Sequence, residues 1–81
     1  MLIVYTKTGC PWCRDALARL RSLRVSFEER EVTGNKVYFD ELVALSGQTK
    51  TPTVAVAGLV CADASDNEIE AFLRANNLLP Q

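Results

Sequence analysis

The chain has 81 residues, 48% of them hydrophobic, enough for one compact domain over residues 1–81 and too few for two. Nine basic against ten acidic side chains leave a formal net charge of −1, so no basic field draws nucleic acid or an anionic membrane surface. A small molecule or a protein is the expected partner.

Leu2 to Tyr5 form a short apolar run with branched residues at Ile3 and Val4, which predicts a strand buried on both faces. The run stops at polar Thr6 and Lys7, too early for a secretory leader or a membrane span, so a cytoplasmic setting is expected. From about Pro11 to Leu23, Ala16, Leu17, Leu20 and Leu23 recur at helical spacing. Arg14, Asp15, Arg19 and Arg21 fill the other face, with Asp15 and Arg19 one turn apart. Pro11 suits the first turn because its missing N–H has no partner there in any case. Val25 and Phe27 then alternate with polar neighbours toward Val32, predicting a half-exposed second strand.

Thr33, Gly34 and Asn35 make a loop, and Val37, Tyr38, Leu42 and Leu45 support a second helix that Gly47 ends. Between Thr53 and Ala62, Val54 and Val56, then Gly58, then Leu59, Val60 and Cys61 predict a β-hairpin, although Ala-Gly is a weak turn signal. Ser65 and Glu68 have capping-box spacing, and Ile69, Phe72 and Leu73 give a third helix its buried stripe. The tail from Asn76 to Gln81 is expected to fray. The whole is an α/β domain of order βαβαββα: a four-stranded mixed sheet flanked by three helices, the first two strands parallel and the hairpin adding antiparallel pairs.

Cys10 and Cys13 stand three positions apart at the entry to the first predicted helix. Three cysteines are an odd number, against a disulfide-stapled secreted domain, and in a reducing compartment a close pair is more often metal-binding or catalytic. At a strand–helix junction the Cys10 thiol lies near unpaired N–H groups whose dipoles favour the thiolate, and such sites lower a thiol pKa from roughly 8.5 into the 3.5–7.5 range. Cys13, one turn inward, is placed to resolve a mixed disulfide formed by Cys10. Lys7 adds a positive charge nearby or is a plain solvated lysine. A closed zinc site needs four ligands, and the chain has no histidine and only Cys61 beyond the pair, so no metal is expected. A cluster bridged between two chains stays open. Cys61, in an apolar run, is read as a small buried hydrophobe. Trp12 is hard to bury in so short a loop and is expected partly exposed beside Cys10. Pro52 either forms a cis bond that turns the Thr51 backbone toward a substrate or opens a strand as an ordinary trans proline.

Tyr5-Thr6-Lys7 followed by Cys10-Pro11-Trp12-Cys13 resembles the opening of glutaredoxins, whose motif is usually C-P-Y-C or a close variant. Ser46 to Pro52, SGQTKTP, is similar to the segment that precedes the family's cis-proline, and the element order fits the thioredoxin-like fold from end to end. The resemblance implies a thiol–disulfide oxidoreductase acting on protein disulfides or glutathione mixed disulfides, with glutathione as reductant, disulfide-containing proteins as partners and a monomeric state. It places the nucleophile at Cys10, its partner at Cys13, a groove-shaping ring at Trp12, a backbone contact to glutathione at Thr51 and the cis-proline at Pro52. It further implies that Lys7 faces the glycine carboxylate of glutathione and that Ser65, Asp66 and the N–H groups of the third helix are placed to hold the γ-glutamyl end. Two stretches depart from the family. Lys50-Thr51-Pro52 stands for the usual T-V-P. Cys61-Ala62-Asp63-Ala64-Ser65-Asp66 stands where the family has two glycines, a small residue and an acidic pair, which narrows the groove. An electron donor recharged by a flavoprotein reductase and an iron–sulfur scaffold are the alternative functions.

Overall fold

The computed structural model describes residues 1–80, which form β1 (Leu2–Thr6), α1 (Pro11–Ser22), β2 (Phe27–Glu31), α2 (Lys36–Ser46), β3 (Thr53–Val56), β4 (Leu59–Cys61) and α3 (Asp66–Ala75). The four strands lie in the order β2-β1-β3-β4. β1 runs parallel to β2, Leu2 beside Phe27, and antiparallel to β3, Val4 beside Val54; β3 turns back antiparallel into β4. This is the predicted element order and strand pairing.

Its central place explains the apolar character of β1 on both sides, since side chains alternate across a strand. Leu2 and Val4 join Ala16, Leu20, Val54, Ile69 and Leu73 in a core beneath α1 and α3. Tyr5 packs on the opposite face with Val32, Leu42 and Ala55, under α2. The Tyr5 hydroxyl donates to Glu41 Oε1 at 3.0 Å, and burial, reinforced by that carboxylate, pushes its pKa up. The outer strand β2 is mostly charged, Phe27-Glu-Glu-Arg-Glu31, which discourages pairing with another sheet edge. No helix among the described residues is long and apolar enough to cross a membrane.

The weak hairpin signal has a clear physical form. Ala57 and Gly58 have φ of 49° and 82°, the positive values at both central positions that a primed two-residue turn needs, and alanine accepts this less readily than asparagine. Arg19 stands one turn from Asp15, but its guanidinium reaches across to α3, donating to Asn67 at 3.1 Å, Glu70 at 2.8 Å and Asp66 at 3.0 Å. One expectation is corrected: the tail is not frayed through Leu79. Asn77 adopts φ 54°, the Leu78 N–H returns to the Leu73 carbonyl at 2.9 Å, and Leu78 and Leu79 pack on the α1/α3 core. That backward bond is a helix-closing Schellman link made with asparagine in place of glycine. Gln81, included in the same expectation, lies outside the described residues.

α3 begins with the capping box the sequence signals: the Glu68 N–H donates to Ser65 Oγ at 3.2 Å and the Ser65 N–H to Glu68 Oε1 at 2.9 Å. The backbone bond first, and the Ser65 side chain second, hold the Glu68 carboxyl below its usual range. Its contribution is therefore present above the ordinary carboxylate pKa and lost as pH falls through the lowered folded value. Ser65→Ala is expected to cost about 1 kcal/mol through the lost cap. It should move the Glu68 titration upward, partway to the ordinary value because the backbone donor remains; carboxyl NMR against pH, with a urea melt, checks both.

Candidate active site

β1 ends in the middle of the sheet, and the chain passes through Gly9, at φ 73°, directly into α1. Thr8 pins this turn to the end of β2: its N–H donates to Thr33 Oγ1 at 3.0 Å and its hydroxyl to Glu31 at 2.6 Å. Cys10 is consequently the N-cap of α1, with extended φ −92° and ψ 107°. Its sulfur occupies the place usually taken by a serine or aspartate oxygen and accepts the Cys13 N–H at 3.1 Å. Pro11 holds the first helical position. The first turn of α1 contains no acidic residue, so no side chain of that turn cancels the positive end of the helix at Cys10.

Cys10 and Cys13 stand at disulfide distance, their Cα atoms 5.2 Å apart. Cys13 is 3% exposed, Cys10 is half-buried and Trp12 is 61% exposed. One sulfur can thus meet a substrate while the other waits behind it. Cys61 is a different kind of thiol: half-buried in β4, packed on the core, its pKa pushed up by burial and then by Glu68.

The segment before β3 faces the pair. The Thr51–Pro52 bond is cis, the Thr51 carbonyl oxygen lies 3.9 Å from Cys10 Sγ, and the Thr51 hydroxyl donates to that sulfur at 3.7 Å. The Ala64 N–H donates to the Pro52 carbonyl at 3.1 Å, which draws the stretch before α3 alongside. Between them lies a cleft of about 180 Å³ lined by Trp12, Pro52, Asp63, Ala64, Ser65 and Glu68.

Of the residues singled out from the sequence, Trp12, Pro52 and Ser65 line this cleft and Thr51 touches Cys10. Lys7 is half-buried just past β1 and outside the lining. Asp66 is turned elsewhere: one carboxylate oxygen meets Arg19 and the other the Asn67 N–H at 2.9 Å. Asp63, Ala64 and Glu68 were not anticipated in the wall. Glu68 was legible only as a capping residue. Asp63 sits at φ 49°, a backbone state aspartate tolerates better than most residues and one that no local pattern announces.

The family model described as Glutaredoxin matches residues 2–60. Glutaredoxin 3 of Escherichia coli K12 is 40% identical over 53 residues, 65% of this chain and 64% of that protein, so the match spans under two thirds of the relative's length. Among solved structures, the thioredoxin-like protein BC3987 superposes with a TM-score of 0.81 at 27% identity, covering 90% of this chain and all of that one (100%). A buckwheat glutaredoxin–glutathione complex superposes at 0.70 and 20% identity over 95% of this chain and 71% of that one, which speaks for the fold alone. With the thioredoxin-like sheet and helices in place and the family model covering most of its length, the chain belongs to the glutaredoxin family.

Proposed function

We propose that this chain is a thiol–disulfide oxidoreductase that works through Cys10 and Cys13 and is recharged by glutathione. One observation carries the reading: the Cys10 sulfur caps α1, receives hydrogen bonds from the Cys13 N–H and the Thr51 hydroxyl, and has its buried partner at disulfide distance. Donors that meet a thiolate stabilise it more than they stabilise a neutral thiol, so the reduced site favours the attacking species.

The Cys10 thiolate attacks one sulfur of a disulfide; a new bond forms between Cys10 and that sulfur, the old S–S bond breaks, and the departing half leaves as a thiolate that takes a proton from water. Cys13, deprotonated in turn, attacks Cys10 Sγ and expels the second half, so two electrons pass from the cysteine pair to the substrate. Two glutathione thiols reverse these steps and leave as glutathione disulfide. In this reading glutathione lies along the Thr51 backbone beside Pro52 and Trp12, with its glycine carboxylate toward Lys7 and its γ-glutamyl end at Ser65 and the N-terminus of α3. Asp66, engaged by Arg19, contributes there through its backbone N–H.

The electron source is tested with a peptide–glutathione mixed disulfide and NADPH consumption. Turnover is expected with glutathione and glutathione reductase. Coupling only to a thioredoxin-type flavoprotein reductase would transfer the assignment to that class.

A further inference from the structure

Thr53, the first residue of β3, is wholly buried, and a buried hydroxyl is costly unless it is hydrogen-bonded. Here it is fully used. Its Oγ1 donates to the Lys50 carbonyl at 3.0 Å and accepts the Asp63 N–H at 3.3 Å and the Gln48 side-chain amide at 3.4 Å. These partners lie in two different segments. One, Gln48 to Pro52, brings Thr51 against Cys10 Sγ; the other supplies Asp63, Ala64 and Ser65 to the cleft wall. Asp63 keeps φ 49° without being glycine, and its N–H is the group that Thr53 holds. The outer fastening between the same segments, Lys50 Nζ to Asp63 Oδ2 at 4.0 Å, joins side chains 73% and 53% exposed, too wet to fix a geometry.

Resting on the function proposed above, we propose that Thr53 is a positioning residue: its hydroxyl, beside the Ala64 N–H to Pro52 carbonyl bond, holds the Asp63–Ser65 wall against the Thr51 segment, and so tunes the affinity for the glutathionyl group, without touching that group. Valine has the same branched shape and none of the bonds, whereas serine keeps the hydroxyl. Losing three neutral hydrogen bonds that preorganise a site amounts to about tenfold in binding.

The test compares Thr53→Val and Thr53→Ser with the unaltered chain on a glutathione mixed disulfide, with chemical-shift titration of S-methylglutathione as an unreactive probe and a thermal melt for each. Thr53→Val is expected to raise KM and the probe Kd about tenfold with kcat within about twofold, and Thr53→Ser to restore both constants. Alkylation of reduced Cys10 by iodoacetamide, which needs no cleft, should change by less than about twofold. An unchanged KM and Kd in Thr53→Val overturn the proposal even if its melting temperature falls. So does a serine variant that stays as weak as valine, since the effect is then one of packing. If the unaltered chain itself neither binds the probe nor turns over, the glutathione reading fails, and the positioning role falls with it.

Discussion

Cys10→Ser is expected to remove disulfide reduction by at least about 10³-fold in kcat/KM, while leaving the fold intact. The two halves of that expectation have separate causes. Serine is among the best N-cap residues, and its hydroxyl accepts the residue-13 N–H where Cys10 Sγ now does, so α1 keeps its start. What disappears is the thiolate: a serine hydroxyl at the same helix end does not ionise near neutrality and forms no disulfide. Loss of activity with an unchanged melting curve is therefore a chemical result. Cys13→Ser should behave differently. The backbone N–H that serves Cys10 remains, so attack persists, but the mixed disulfide on Cys10 has no internal resolving thiol. Reduction of glutathione mixed disulfides, in which a second glutathione resolves Cys10, should survive. Reduction of two-cysteine protein disulfides should stall, with the trapped adduct visible at Cys10 by mass spectrometry. Full turnover by Cys10→Ser would reject the proposed mechanism.

Features governed by neighbours in the chain were legible, and features governed by distant partners were not. The helical spacing of Ala16 and Leu20 foretold the buried face of α1, the Ser65–Glu68 interval foretold a capping box, and Gly47, at φ 71°, ends α2 where expected. Each of these is decided within a turn or two of helix. Arg19 illustrates the limit. From the sequence its nearest carboxylate is Asp15, yet packing α1 beside α3 offers Asp66 and Glu70 together, and two acceptors outbid one. The same contact turns Asp66 away from the cleft, a consequence no local pattern contains. The tail is a second instance, because Leu78 and Leu79 find their apolar contacts only once the α1/α3 core exists. In the site, the cysteine pair and Pro52 were readable as a motif. The hydroxyl of Thr53 was not, since alternation along β3 predicts only that a small branched residue fits there.

Leu20→Ala should give the complementary outcome to Cys10→Ser: stability lost and chemistry kept. Leu20 is fully buried in α1 among Leu2, Val4, Val54, Ile69 and Leu73, the contacts that press the helix onto the sheet. Truncating a leucine in such a place costs about 2–5 kcal/mol, the lost transfer energy plus the cavity left behind. Small domains hold only about 5–15 kcal/mol in total, so the melting temperature should drop by on the order of 10 °C or more. Leu45→Ala is the control, because Leu45 on α2 is 46% exposed and should cost about 0.5 kcal/mol or less. The reactive end of α1 depends on the turn at Gly9, the cap at Cys10 and the contact with Thr51, all at the N-terminal end of the helix, whereas Leu20 sits in its last turns. Below its lowered melting temperature the variant should retain kcat/KM within about twofold. Denaturation followed by circular dichroism, with activity measured at two temperatures, separates the effects. A cost below about 1 kcal/mol would mean that the core beneath α1 and α3 is not packed as described.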